Sequence, residues 1–208
     1  MDDIDFEKIN NLRMKDISYM GVKPTKNTRR ILVDMKDSST LIRSYEKNPF
    51  VPQNEAKRNG RCHEIFEIQS CGLAKRLKHI GTEKCVIGIS GGLDSTLAFL
   101  VIVEAYKKLG IDPKNIQAIT MPGFGTTSRT LENAKRLMDV YGVTLAEISI
   151  RGASLLHMKD IGHNLDNHDI TYENVQARER TQILMDVANK MGGIVIGTGD
   201  LSELALGW

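Results

Sequence analysis

The segment with the clearest chemical content covers residues 85–96 and reads Cys-Val-Ile-Gly-Ile-Ser-Gly-Gly-Leu-Asp-Ser-Thr. An apolar run leads into Ser-Gly-Gly-x-Asp-Ser, and a helix is predicted to follow. Glycines let backbone N–H groups converge on an anion, and a helix N-terminus adds partial positive charge. The segment therefore predicts a phosphate-binding loop, and an ordinary glycine turn is the simpler alternative.

Asp94 stands in this loop where the usual mononucleotide loop carries a lysine that reaches the γ-phosphate. A carboxylate at that position could hold a metal ion such as Mg²⁺. Without the lysine, the loop suits released pyrophosphate better than a transferred γ-phosphoryl group. Hydroxyl groups and closely approaching amides come from Ser90, Gly91, Gly92, Ser95 and Thr96.

A second polar loop, residues 197–203, follows a predicted strand and reads Gly-Thr-Gly-Asp-Leu-Ser-Glu. Its glycines free the backbone, and Thr198 could hydrogen-bond a nucleotide. Glu203 supplies a second carboxylate, which with Asp94 and phosphate oxygens would complete a magnesium site. The alternative is a capped helix start, with Asp200 as N-cap and Glu203 three residues later. The two interpretations are compatible.

A long helix is predicted from about Tyr172 to Met191, with an apolar stripe of Ile183, Leu184, Val187, Ala188 and Met191. Asn174 and Arg178 are four residues apart and share a different, polar face. An amide and a guanidinium together could fix a negatively charged ligand. On spacing alone, a solvated face with Glu179 and Arg180 as surface charges is the commoner arrangement.

Composition narrows the class of protein. The 208 residues are 41% hydrophobic and 26% charged, which is typical of a soluble globular protein. The net charge of +2 is too small to argue for nucleic-acid binding. No apolar run reaches the roughly 18 residues of a membrane span, and the acidic N-terminus is unlike a signal peptide. A cytoplasmic location with no membrane partner is therefore expected.

The order of predicted elements indicates an α/β fold with a parallel sheet and flanking helices. Strands are predicted over residues 85–89, 116–121, 144–150 and 194–196, and helices over 64–79, 95–109, 130–141, 153–159, 172–191 and 201–206. Ligands of such sheets bind beyond the carboxyl ends of the strands. If the first and fourth strands are neighbours, the two polar loops face each other across one crevice. Residues 1 to about 60 differ, with one strand candidate at 30–35 and an extended, proline-punctuated segment at 46–52.

Three segments together resemble motifs of the NAD⁺ synthetase family, within the ATP pyrophosphatases (PP-loop superfamily) of adenine-nucleotide α-hydrolase-like, Rossmann-like fold. They are residues 88–95, residues 173–180 (Glu-Asn-Val-Gln-Ala-Arg-Glu-Arg) and residues 197–208, ending in Gly-Trp. The resemblance covers residue 61 to the end. Residues 1–60 look like the tail of a nitrilase-like glutaminase domain and its linker, as in glutamine-dependent members.

The resemblance implies amidation of deamido-NAD⁺ to NAD⁺ through an acyl-adenylate, with AMP and pyrophosphate released. Glutamine would supply the ammonia through a glutaminase domain. The implied ATP-binding residues are Gly88, Ile89, Ser90, Gly91, Gly92, Leu93, Asp94, Ser95 and Thr198, with Ser90 and Asp94 as catalytic residues. Asp94 would hold the Mg²⁺ of ATP, and Glu203 would bind a second Mg²⁺ or the substrate. Asn174, Arg178, Glu203 and Trp208 would form part of the deamido-NAD⁺ site.

The chain also departs from the family pattern, because the family continues past Gly-Trp and carries a glutaminase core ahead of the linker. A synthetase-domain fragment lacking its C-terminal part is therefore expected. The family further implies a homo-oligomer. Two other functions stay open: another PP-loop ATP pyrophosphatase, GMP synthetase-like, asparagine-forming or tRNA-modifying, or a non-catalytic nucleotide-binding module.

Overall fold

The computed structural model describes residues 4–19, 21, 29, 31–32, 47–48, 50–125 and 128–206. The chain divides into two compact units, Met1–Arg58 and Asn59–Trp208. In the first unit, helix α1 (Phe6–Lys15) begins where the Asp5 carboxylate accepts a hydrogen bond from the Lys8 amide at 2.8 Å. This helix is missing from the predicted elements, because it buries no residue. Its signal is a capping aspartate rather than a core-facing stripe.

Several predictions fall on parts of the chain outside the described residues. Only residues 31 and 32 of the predicted strand 30–35 are described, and neither is in a strand. Residues 46 and 49 of the extended segment also lie outside, and the rest of that segment contains no helix or strand. Trp208 lies outside as well.

The remaining elements follow the predicted order. The helices are α2 (Glu55–Ile80), α3 (Leu93–Leu109), α4 (Ser128–Tyr141), α5 (Arg151–Asp160), α6 (Ile170–Met191) and α7 (Leu201–Leu206). The strands are β1 (Cys85–Gly88), β2 (Ile116–Thr120), β3 (Thr144–Glu147) and β4 (Ile194–Val195). Helix α2 begins nearer the N-terminus than predicted, where the Asn54 side chain accepts a hydrogen bond from the Lys57 amide at 3.0 Å. The apolar pattern could not reveal its first two turns, because they are polar and mostly exposed.

The four strands form one parallel sheet in the order β3-β2-β1-β4. After β1 the chain adds β2 and β3 on one side, then crosses back to place β4 on the other. The predicted α/β class with a parallel sheet is confirmed. The strand order reverses at β1, which is where ligands bind in sheets of this kind.

Both faces of the sheet are covered, and β1 shows why its sequence is continuously apolar. Cys85 and Ile87 are fully buried in a cluster with residues of α3 and α4. Val86 points to the opposite face and packs in a second cluster with residues of α6. Because successive side chains of a strand alternate between faces, a strand covered on both sides needs apolar residues throughout. Cys85 is thus a buried core residue.

Strand β4 lies close against β1 because Gly193 precedes it. A Cβ atom at Gly193 would lie 2.7 Å from the Lys84 carbonyl oxygen, so no side chain fits there. The Ile194 amide donates to that same carbonyl at 3.2 Å, and the Ile196 amide donates to the Val86 carbonyl at 2.9 Å. These hydrogen bonds place the loop that starts at Gly197 beside the carboxyl end of β1. Among the described residues, no helix combines the length and apolarity that a membrane span requires.

Candidate functional site

The loop after β1 that is predicted to bind phosphate covers residues 90–95 and is here called the phosphate loop. Its conformation depends on two serine hydroxyl groups. The Ser90 amide donates to Ser95 Oγ at 3.3 Å, and the Gly92 amide donates to Ser90 Oγ at 3.2 Å. The two hydroxyl oxygens are 3.1 Å apart. Ser95 also donates to the Gly92 carbonyl at 3.2 Å, so hydrogen bonds within the turn itself fix its conformation.

Gly91 is required by the backbone of this loop. Its φ angle is +83°, in the left-handed region that favours glycine. A Cβ atom there would lie 2.4 Å from the Thr130 carbonyl oxygen at the start of α4. Gly92 then begins α3 without a side-chain cap, which leaves the first amides of that helix available to an anion.

The crevice predicted between the two polar loops is a cavity of about 660 Å³, here called the first cavity. Its lining includes six of the predicted site residues: Gly88, Ile89, Ser90, Ser95, Thr198 and Glu203. Its apolar wall includes Met121, Leu184 and Ile196. A cavity with one apolar wall and one polar, amide-rich wall matches a ligand that has a flat base and a charged end.

Glu203 forms the predicted capping box of α7. The Asp200 amide donates to Glu203 Oε2 at 2.9 Å, and the Glu203 amide donates to Asp200 Oδ1 at 2.8 Å. The helix start is therefore capped reciprocally. Glu203 still lines the first cavity, so the capping and ligand-binding interpretations remain compatible.

Asp94 does not line the first cavity with Glu203. It is exposed on the first turn of α3 and lines a separate cavity of about 440 Å³, together with Thr198, Gly199 and Asp200. No cluster of three or more His, Cys, Asp or Glu side chains suited to a metal ion occurs among the described residues. Each carboxylate separately suits Mg²⁺, because this ion keeps several waters and takes further oxygens from substrate phosphates.

The residues predicted to bind deamido-NAD⁺ are not brought together by α6. Asn174 is partly buried and Arg178 is exposed, and neither lines the first cavity. Trp208 lies outside the described residues, so Glu203 is the one member of that set seen at the crevice. Leu93, predicted in the phosphate loop, is 86% exposed, so any contribution to phosphate binding would come from its backbone.

Helix α6 contributes two other polar residues, Gln176 and Arg180, which are not among the predicted site residues. Gln176 is buried, and its Oε1 accepts a hydrogen bond from the Phe124 amide at 3.1 Å. Arg180 donates from Nε to the Met121 carbonyl at 3.4 Å. The interpretation of Arg180 as a surface charge is wrong, because its side chain is partly buried and lines the first cavity. The apolar stripe, continued backward at helical spacing, reaches these two positions rather than Asn174 and Arg178.

Gln176 and Arg180 both line a second cavity of about 400 Å³, here called the second cavity. Its other lining residues are Ser90, Gly125, Thr130, Tyr172 and Glu173. All of these lining residues except Gly125 carry a polar group on the side chain. Tyr172 lies beside Phe124, with ring centroids 5.6 Å apart. A second polar compartment therefore adjoins the phosphate loop at Ser90.

Burial lowers the pKa of the Arg180 guanidinium from its ordinary value, because removal from water disfavours the charged form. Arginine nevertheless keeps its charge in proteins. A partly desolvated positive charge therefore sits beside the phosphate loop.

Comparison with known proteins assigns the family. A family model described as NAD synthase matches residues 65–208. The glutamine-dependent NAD(+) synthetase of Mycobacterium leprae is 47% identical over 172 residues, which are 81% of this chain and 25% of that protein. The chain thus spans about a quarter of that relative's length.

Two solved structures are similar as well. The glutamine-dependent NAD⁺ synthetase of Acinetobacter baumannii, determined in complex with ADP, has a TM-score of 0.63 and 31% identity, over 70% of this chain and 27% of that one. The NMN synthetase of Francisella tularensis has a TM-score of 0.60 and 25% identity, over 70% of this chain and 57% of that one. These similarities confirm the predicted Rossmann-like fold. Because the family model matches well over half of its residues, this chain belongs to the NAD synthase family.

Proposed function

We propose that this chain is the ATP-dependent amidating domain of an enzyme that converts deamido-NAD⁺ into NAD⁺. The observation that carries the proposal is the meeting of the phosphate loop and the Thr198–Glu203 loop in one cavity, in a chain of this family. Residues 61–208 would form the amidating domain. Residues 1–60 would belong to the end of a glutaminase domain and its linker, which agrees with the glutamine-dependent relative.

In the proposed reaction, a carboxylate oxygen of deamido-NAD⁺ attacks the α-phosphorus of ATP, and pyrophosphate leaves with the electron pair of the broken bond. Ammonia then attacks the carbonyl carbon, loses a proton, and displaces AMP. No covalent enzyme intermediate is needed. The chain's contribution is to align the two substrates and to neutralise phosphate charge.

Individual residues suit these tasks. The amides and hydroxyl groups of Ser90, Gly91, Gly92 and Ser95 would bind phosphate oxygens, and Thr198 would hydrogen-bond the nucleotide. Asp94 would hold the Mg²⁺ of ATP, and Glu203 would bind a second Mg²⁺ or the substrate; bound Mg²⁺ offsets the negative charge of the phosphates. Asn174, Arg178 and Trp208 remain proposed deamido-NAD⁺ contacts. A homo-oligomer and a cytoplasmic location remain predictions.

The activity is tested with the full-length gene product, deamido-NAD⁺, ATP, Mg²⁺ and either ammonia or glutamine. NAD⁺, AMP and pyrophosphate should form in equal amounts, and glutamine should replace ammonia. Nicotinate mononucleotide serves as the comparison substrate, because one structural relative is an NMN synthetase. If neither AMP nor NAD⁺ forms with deamido-NAD⁺, the proposal fails, and the other PP-loop substrates and simple nucleotide binding become the alternatives.

The phosphate loop is tested by Gly91→Ala. A side chain at this left-handed position would collide with the Thr130 carbonyl, so the loop must deform. We expect ATP affinity, measured by calorimetry, to fall about tenfold, as for a conformational cost of roughly 1–2 kcal/mol. The control is Gly72→Ala on α2, where a Cβ meets no atom within 4 Å. Equal ATP affinities for the two variants would contradict the loop assignment.

The metal role of Asp94 is tested by Asp94→Ala, with Asp186→Ala on the exposed side of α6 as the charge-matched control. Mg²⁺ should strengthen ATP binding to the control but not to Asp94→Ala, because one carboxylate ligand is gone. Calorimetric titrations with and without Mg²⁺ measure the difference. An Asp94→Ala variant that retains the full Mg²⁺ effect would exclude this residue as a ligand.

A further inference from the structure

Arg180 lies where the two cavities meet. The first and second cavities have only two lining residues in common among the described ones, Ser90 and Arg180. Ser90 belongs to the phosphate loop and carries no charge. Among the described residues, Arg180 is therefore the one charged side chain that faces both compartments.

The Arg180 guanidinium has unused hydrogen-bonding capacity. Within the described part of the chain its sole hydrogen bond is the 3.4 Å bond from Nε to the Met121 carbonyl, and it forms no ion pair. Glu173 lines the second cavity, but its carboxylate is not within ion-pair distance of the Arg180 guanidinium. A partly buried cation usually has an anionic partner, because desolvation without one is unfavourable. The partner that fits this position is an anion supplied by a ligand.

The chemistry of the two cavities indicates which anion that is. The first cavity has the apolar wall of Met121, Leu184 and Ile196, which suits the base of ATP, and the phosphate loop lies at its other side. The second cavity combines polar groups, among them Gln176 and Arg180, with the Tyr172 ring, which suits the aromatic acid end of the other substrate. If a carboxylate in one cavity attacks a phosphorus in the other, the reacting oxygens meet at Ser90 and Arg180.

We propose that Arg180 is a catalytic residue of acyl-adenylate formation that contacts the reacting carboxylate and α-phosphate oxygens. This inference rests on the proposed function. As the carboxylate oxygen bonds to the α-phosphorus and the bond to pyrophosphate breaks, negative charge accumulates on oxygens around phosphorus. A planar guanidinium with free N–H groups can hold two such oxygens at once and offset that charge. No proton is transferred in this step.

The test compares Arg180→Met, which keeps the aliphatic stem, with Arg180→Lys, which keeps the charge but loses the planar fork. Steady-state kinetics of pyrophosphate release by the full-length protein give kcat and KM for ATP and deamido-NAD⁺. We expect Arg180→Met to lower kcat about 100-fold or more, as when a transition-state donor is removed. Arg180→Lys should lower kcat about tenfold, and KM for ATP should change about threefold or less in both variants.

Arg151→Met is the matched control, because Arg151 donates from Nε to the Gly123 carbonyl at 3.0 Å and so supports the same loop as Arg180. Arg151 lines neither cavity. This variant should reduce kcat about fivefold or less, since it loses only support of the loop. If Arg151→Met and Arg180→Met lose activity equally, Arg180 acts through the loop and the proposal is wrong.

The activity of the parent protein distinguishes a failure of the proposed role of Arg180 from a failure of the proposed function. With an active parent protein, kcat values for both Arg180 variants within about threefold of the parent would overturn the role of Arg180 alone. If Arg180→Met does not fold, as its melting temperature would show, Arg180→Lys decides by the same criterion. A folded parent protein that forms no NAD⁺ would overturn the proposed function and this inference with it.

Discussion

The placement of β4 beside β1 is the constraint on which the site depends. Two backbone hydrogen bonds, from Ile194 to Lys84 and from Ile196 to Val86, hold this short strand on the side of β1 opposite β2. A β4 of two residues has little pairing of its own. Its position is secured by Gly193, which permits the close approach, and by α6, whose apolar residues pack against the same face of the sheet. Without this pairing of β4 with β1, Thr198 and Glu203 would not lie beside the phosphate loop.

Helix α6 links the core to the site. Ile183, Leu184 and Val187 pack against the sheet. The same side of the helix, nearer its N-terminus, places Gln176 at the second cavity and Arg180 at both cavities. The start of the helix is set by Asp169, whose Oδ1 accepts hydrogen bonds from the Thr171 and Tyr172 amides at 2.8 and 3.1 Å. These backbone hydrogen bonds hold the pKa of the Asp169 carboxyl below its ordinary value. One helix thus fixes both the packing and the polar wall.

Local sequence patterns predicted the parts of this structure that local physics determines. Buried parallel strands are continuous apolar runs, so residues 85–88 and 116–120 are recognisable. The Asp200–Glu203 capping box is a short-range interaction, and its spacing identified it. Helix α1 lacks such a pattern, because none of its residues is buried.

Rotation of a helix and the path of a loop are longer-range properties, and there the sequence was a poorer guide. Asn174–Arg178 and Gln176–Arg180 have the same spacing, and only the contact of α6 with the sheet determines which pair faces the site. Asp94 and Glu203 were expected to share a metal site, yet they line different cavities. Their separation depends on how two loops, from distant parts of the sequence, pass one another. No local pattern encodes that distance.

The central claim is that the crevice joins a carboxylate to the α-phosphorus of ATP before nitrogen is added. The most direct measurement uses deamido-NAD⁺ with both carboxylate oxygens replaced by ¹⁸O, with mass spectrometry of every product. The acyl-adenylate route predicts one ¹⁸O atom in AMP, one in the amide of NAD⁺ and none in pyrophosphate. AMP that carries no ¹⁸O, or label in pyrophosphate, would contradict the account.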